Sequence, residues 1–248
     1  MCALKKLNNF LKQSLPPKLT LGLRTMVHPV RTWKRQVGLR ELYPASWRWV
    51  VMSDNIQGFL SAAEGNALYC LARDFTPQEN AVVVELGSWK GKSSVMIAGG
   101  LLAKEAPRLF CVDPFGCDED PEYQRKYYEP LLRQDPRDVE TVFRKNVRSC
   151  GVDAIVLPIK GYSFECCRNW TQPIDLLFID ANHEYRAVLR DFNNWVPFVK
   201  MGGVVAFHDV GEDYDGPQRV VAENLRYPSF APIEQVESLA WAVKRQSN

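Results

Sequence analysis

From about residue 55 the chain alternates short continuous apolar runs with longer amphipathic stretches. The runs are "AVVVEL" at 81–86, "RLFCVD" at 108–113, "AIVLPI" at 154–159, "IDLLFID" at 174–180 and "GGVVAFHD" at 202–209. Each is short, rich in β-branched residues and bounded by polar residues, which predicts five strands. Between them, helical periodicity predicts helices over 57–75, 91–104, 136–149, 184–200 and 216–226, with others near 121–134 and 163–170. Segments 232–236 and 239–244 read as a closing pair of strands joined by a tight turn at Glu237-Ser238. Strands that are apolar throughout are buried on both faces, and strands alternating with helices form a parallel sheet covered on both sides. The expected fold is therefore α/β, doubly wound and Rossmann-like, over residues 55–248, preceded by a partly helical extension over 1–54.

The extension differs in kind. Leu4, Leu7, Phe10, Leu11 and Leu15 recur at helical spacing among lysines, and Pro16-Pro17 ends the pattern. Residues 1–40 carry nine Lys/Arg and no acid, whereas the remainder has 22 bases against 29 acids. Such a leader suits peripheral contact with an anionic membrane surface or an acidic partner, and equally a solvated helix packed on the main domain. A nucleic-acid partner is disfavoured, because the basic residues stay in the leader and no RNA-binding module is visible. No apolar window is long enough to span a membrane, and no secretory signal is visible. The seven cysteines are odd in number and contain no CxxC pair, which reads as reduced thiols in a cytoplasmic protein, with the inner face of the membrane as a peripheral location.

In doubly wound sheets, ligands bind beyond the carboxyl ends of the strands. Those ends hold Glu85-Leu86-Gly87, Asp113, Lys160-Gly161-Tyr162-Ser163, Asp180-Ala181-Asn182-His183 and His208-Asp209. The first belongs to "VVVELGSWKGKSS", whose Gly91-Lys92-Ser93 suggests a phosphate-binding loop. That loop needs four residues before its Gly-Lys pair, and three separate Gly87 from Gly91. "LLFID" at 176–180 keeps the rival alive through its likeness to a metal-binding strand. The other reading explains more residues. Glu85 at the end of the first strand could hold the ammonium of an amino acid, with Gly87 and Gly91 letting backbone approach it. Asp113 could accept from two ribose hydroxyls. The missing GxGxxG argues against a pyrophosphate cofactor and favours S-adenosylmethionine, which has an amino acid, a ribose and an adenine but no phosphate.

"VVVELGSWKGKSS", "CVDPF" and "DLLFIDANHEYRAVLRDFNNWVPFVKMGGVVAFHDV" together resemble class I S-adenosylmethionine-dependent methyltransferases, in particular methyltransferase family 24 and the related macrolide and aminocoumarin sugar O-methyltransferases. The resemblance spans roughly 55–245 and implies a seven-stranded sheet with an antiparallel last strand. It further implies that Glu85, Gly87 and Ser88 line the methionine end and that Asp113 holds the ribose. Gly161, Tyr162 and Ser163 would lie near the adenine, and Asp180 beside the sulfonium and the acceptor. Metal-dependent relatives place a magnesium triad at positions matching Asp180, His208 and Asp209, although a histidine is unusual for an ion that prefers oxygen.

Relatives often carry an acidic base at position 182, where this chain has Asn182. A histidine side chain can take up a hydroxyl proton, which makes the adjacent His183 the candidate base, with Asp180 beside it. The expected activity is methyl transfer to an oxygen of a small-molecule or glycan acceptor, a sugar hydroxyl first. Residues 114–152 form the expected lid and acceptor wall, where Tyr123, Tyr127, Tyr128 and the acids at 118–120 suit a hydroxyl-rich ligand. A non-catalytic S-adenosylmethionine-binding scaffold and a hydroxylase-like use of the same fold are the alternatives.

Overall fold

The computed structural model describes residues 36–116, 138–211 and 215–245. The chain divides into two compact units, Met1–Trp47 and Arg48–Asn248. In the first, residues 36–42 are helical; the helix expected over 1–20 lies outside the described residues, as do the helix near 121–134 and the three tyrosines of the expected acceptor wall.

The second unit is built around seven strands: β1 (Val82–Leu86), β2 (Arg108–Asp113), β3 (Val156–Lys160), β4 (Ile174–Ile179), β5 (Val199–Phe207), β6 (Glu234–Val236) and β7 (Leu239–Val243). The order across the sheet is β3-β2-β1-β4-β5-β7-β6. The first five run parallel, and β7 is antiparallel to both β5 and β6. The helices are α1 (Trp47–Ser53), α2 (Ala62–Asp74), α3 (Lys92–Leu101), α4 (Val139–Ser149), the single turn α5 (Ser163–Cys166), α6 (Tyr185–Trp195) and α7 (Asp215–Asn224). Strand order reverses at β1, which lies between β2 and β4, so the fold places its ligand crevice beyond the ends of these three strands.

Burial explains the continuous apolar runs. Every residue of β1 and β4 is buried. Val82, Val84 and Leu86 join a core with Val188, Phe192 and Trp195 of α6 and Val220 of α7. Successive strand residues face opposite sides, so Val83 and Glu85 look away from that core. At the other end of the sheet, the buried Asp175 carboxylate accepts from the Val82 amide at 2.8 Å and from Lys200 Nζ at 2.7 Å. That acid ties three strands together where the chain enters them.

Two boundaries depart from the sequence pattern for local reasons. The helix expected from residue 57 begins at Ala62, because Ser61 caps it: its Oγ accepts from the Glu64 amide at 3.2 Å while the Ser61 amide donates to Glu64 at 2.9 Å. This reciprocal capping box fixes the start and leaves 57–61 as a loop. The helix expected to run to residue 200 stops at Trp195, since Pro197 sits in a following 3-10 turn, and β5 begins at Val199 rather than near 202.

Candidate active site

The strand ends meet at one contact. Gly87 has φ 87°, and a Cβ there would sit 2.1 Å from the Asp180 carbonyl oxygen. No side chain fits, so the turn after β1 presses directly on the turn after β4. The near approach expected of Gly87 is thus to protein backbone. Gly91 tells the same story: it starts α3 at φ 88°, and a Cβ would meet the Phe143 ring at 3.1 Å.

Two adjoining cavities open at this contact and share Gly87, Trp89, Asp180 and Ala181. The larger, about 510 Å³, extends past Asp113, Tyr162 and Ser163 to Asp191 on α6. The smaller, about 130 Å³, is lined by Ser88, His183, His208 and Asp209 and by Phe59 and Leu60 of the loop before α2. Of the residues expected at a cofactor site, Gly87, Ser88, Asp113, Tyr162, Ser163 and Asp180 line these cavities; Glu85, Gly91 and Gly161 line neither.

Glu85 is wholly buried and turned into the protein. Its carboxyl oxygens accept from Ser93 Oγ at 2.5 Å and from the Ser94 hydroxyl, with Cys111 Sγ 3.3 Å away. Burial raises its pKa, and these donors offset part of the rise. Glu85 therefore anchors the start of α3 to β1 and shapes the loop between them, without presenting a free oxygen to a ligand. Asp113 is also buried, yet it faces the larger cavity. Oδ1 accepts from the Phe115 amide at 2.6 Å and Oδ2 from the Trp89 amide at 2.8 Å. Two backbone donors hold the carboxylate rigidly at the wall of that cavity. Trp89 adopts φ 40° to make its bond, a left-handed conformation that a bulky residue takes only under constraint.

The acidic and imidazole groups converge beside the smaller cavity. His183 Nε2 lies 2.7 Å from Asp209 Oδ2. His208 Nδ1 lies 3.3 Å from Asp180 Oδ1 and 3.4 Å from Asp209 Oδ2, while its Nε2 lies 3.4 Å from Glu64 Oε2. Burial opposes charge on His208, but Asp180, Asp209 and Glu64 outweigh it, and the imidazolium is held well above its ordinary titration range. Burial likewise opposes the Asp209 carboxylate, and His183 and His208 more than compensate, so its pKa falls well below the usual value. Glu64 follows the same pattern: burial is outweighed by His208, Ser238 and the Ser61 amide, which bring it to about 2.

Among the described residues, the donor atoms that gather closely enough for a metal ion are those of Asp180, His183 and Asp209, all within 4.8 Å of one another. His208 was the expected third ligand. Its ring nitrogens lie 3.3–3.4 Å from carboxylate oxygens of Asp180, Asp209 and Glu64, and it is not part of that close group. His183 takes that place in the geometry.

Three residues at the site escaped the sequence reading. Glu64 was legible as the fourth position of "SAAE", a capping-box signature. Asp191 was legible as an acid on the apolar stripe of α6, where Val188, Asp191, Phe192 and Trp195 are buried. Phe59, stacked on Trp89 at 6.1 Å between ring centroids, had no local signal.

A seven-stranded sheet in this order, with its crevice at the reversal point and acids closing three adjacent strands, defines a class I methyltransferase fold. The chain belongs to the family described as "Methyltransferase domain", methyltransferase family 24, whose model matches residues 84–210. This membership removes the phosphate-loop reading of Gly91-Lys92-Ser93. Among curated proteins, the chain is 41% identical over 150 residues to uncharacterized protein R132 of Acanthamoeba polyphaga mimivirus, covering 59% of each chain. It is 30% identical over 129 residues to uncharacterized protein y4gI of Sinorhizobium fredii, covering 51% of this chain and 13% of that one. The match thus spans less than two thirds of either relative. Solved structures share the fold at lower identity. Cofactor-bound Rv0187 from MTB is 20% identical with a TM-score of 0.57, covering 82% of this chain and 90% of the other. TomG from Streptomyces achromogenes, an O-methyltransferase in complex with SAM, is 19% identical with a TM-score of 0.55, covering 84% and 89%.

Proposed function

We propose that this chain transfers a methyl group from S-adenosylmethionine to an oxygen of a small hydroxylated acceptor, a sugar hydroxyl first among them. The observation that carries the reading is the meeting of two cavities at Gly87, Asp180 and Ala181, with a ribose-type acid in one and a histidine–carboxylate pair in the other. The larger cavity takes the cofactor, its ribose on Asp113 and its sulfonium toward Asp180. The smaller takes the acceptor. The acceptor oxygen attacks the methyl carbon in line as the carbon–sulfur bond breaks, its electron pair returns to sulfur, and S-adenosylhomocysteine leaves. The protein's main contribution is alignment of the two partners. His183, oriented by Asp209, receives the acceptor's proton. The exposed Phe59 and its partner Trp89 at the rim of the smaller cavity suit the apolar face of a sugar ring.

A second reading follows from the convergence of Asp180, His183 and Asp209. A divalent cation would be held by these three and would lower the pKa of the acceptor hydroxyl. His183 would then be a ligand, and the proton would leave by another route. The basic leader, as a peripheral membrane contact, would suit a lipid-linked glycan acceptor.

The test is transfer of a radiolabelled methyl group to a panel of free, nucleotide-linked and lipid-linked sugars, with and without EDTA. The base reading expects turnover that survives EDTA and falls about 10²–10⁴-fold in His183→Ala, with S-adenosylhomocysteine binding unchanged. Abolition by EDTA with recovery on adding a divalent ion selects the metal reading. Binding of S-adenosylmethionine with no transfer to any acceptor supports the scaffold alternative.

A further inference from the structure

Between the buried Ile56 and Leu60 the chain passes through Gln57, Gly58 and Phe59, and Gly58, Phe59 and Leu60 line the smaller cavity. Phe59 is 79% exposed. Among the described residues, no backbone–backbone hydrogen bond includes positions 57–60. Three ties lead from this stretch to the loop after β1 and the start of α3. Phe59 stacks on Trp89, Lys90 Nζ donates to Gln57 Oε1 at 2.7 Å, and Lys92 Nζ reaches the Gly58 carbonyl at 3.5 Å. Trp89 in turn belongs to both cavities. Its amide donates to Asp113 Oδ2 at 2.8 Å from the left-handed backbone at φ 40°, and the Lys90 ammonium stands 4.8 Å over its ring. One residue thus joins the acid of the larger cavity to the wall of the smaller: its backbone is held by Asp113 and its ring carries Phe59.

We propose that residues 57–60 are a strap over the smaller cavity that closes when the cofactor fills the larger one, with Trp89 as the connecting part. This rests on the methyl-transfer reading above, which seats the cofactor's ribose on Asp113. A ribose bound there holds the Asp113 carboxylate in place, and with it the Trp89 amide. The Trp89 backbone otherwise occupies a sparsely populated conformation that the surrounding contacts must maintain. A firmer hold on the amide narrows the range of the ring and gives Phe59 a fixed platform. Phe59 and Leu60 then take a defined position, so the acceptor meets a formed wall only after the cofactor has bound. The coupling is reciprocal, and an acceptor beneath Phe59 tightens the hold on the cofactor.

The experiment is hydrogen–deuterium exchange of the full chain, read by mass spectrometry on peptides covering the strap. Backbone amides without a partner exchange fast, so a strap that closes leaves a clear mark. The protein is compared free and with S-adenosylhomocysteine at a saturating concentration set by calorimetry. Exchange at 57–60 is expected to slow about fivefold or more in the wild-type protein. Phe59→Ala, a change at an exposed position that leaves the Trp89 amide on Asp113, is expected to bind the ligand and lose the slowing. Phe59→Tyr keeps the ring and is expected to retain it. Unchanged exchange at 57–60 in wild-type protein with the ligand bound overturns the proposal without any variant having to fold. Equal slowing in Phe59→Ala also overturns it, because the ligand would then be covering the strap directly. Failure of the wild-type protein to bind S-adenosylhomocysteine at all would instead sink the cofactor reading itself.

Discussion

Gly87→Ala is the sharpest probe of how this site is built. The added methyl carbon would sit 2.1 Å from the Asp180 carbonyl oxygen and 2.7 Å from the Ala181 Cα, both backbone atoms that cannot rotate away. The turns after β1 and β4 must therefore part by about 1 Å, in a region packed to interior density. Alanine at φ 87° adds a left-handed penalty of about 1 kcal/mol relative to glycine, and overpacking adds about 1–3 kcal/mol. The sum, roughly 2–4 kcal/mol, corresponds to a fall in melting temperature of roughly 5–15 °C for a domain of this size. Because the displaced group is Asp180, binding of S-adenosylhomocysteine should weaken together with stability, by about tenfold or more. Differential scanning fluorimetry and calorimetry on the same preparation read both quantities. A variant that melts within about 2 °C of wild type and binds the ligand equally well would refute the claim that this backbone contact sets the site.

Asp113→Ala removes the acceptor of two backbone amides and, on the proposed reading, of the ribose hydroxyls, and should weaken S-adenosylhomocysteine binding about ten- to a hundredfold by calorimetry. Glu64 titrates near 2 in the folded protein and near 4.5 in a free chain, so its stabilisation is complete above about pH 4.5 and is lost as pH falls through 2. Urea unfolding from pH 5 to pH 2 should show a loss of about 1–3 kcal/mol that Glu64→Gln lacks, and identical pH slopes would contradict the assignment. Asp191 has the opposite sign. Its folded pKa of about 6 exceeds the ordinary 3.8, so the fold favours its protonated form and stability falls as pH rises between those values. Asp191→Asn should accordingly be more stable than wild type at pH 7.5, by about 1–3 kcal/mol in urea unfolding, and an unchanged midpoint would count against the buried charge.

What the sequence disclosed follows from the physics of each signal. The strands were legible because burial on both faces writes itself as an unbroken apolar run, and β2 falls where its run predicts, at Arg108–Asp113. The place of the two cavities was legible because a general rule of open parallel sheets puts the crevice at the strand ends. The partners of those residues were not. Asp209 meets His183 across 26 positions of chain and Ser163 meets Asp191 across 28, and no local pattern encodes either encounter. Glu85 shows the limit from the other side. Its position at the end of β1 suggested a ligand contact, but the penultimate strand residue faces the α3 layer, where Ser93 and Ser94 await it.

Glu64 performs three tasks with one carboxylate. It closes the capping box of α2 through the Ser61 amide, takes the Ser238 amide at 3.0 Å and hydroxyl at 2.7 Å in the β6–β7 turn, and faces His208. The final hairpin, remote in sequence from every cavity-lining residue, is thereby part of the machinery that keeps His208 charged between Asp180 and Asp209. A change at Ser238 itself reaches beyond that turn. Ser238→Ala would strip the hydroxyl donor from Glu64 and slacken its hold on His208, so a single substitution in the closing hairpin bears on the charged groups beside the smaller cavity.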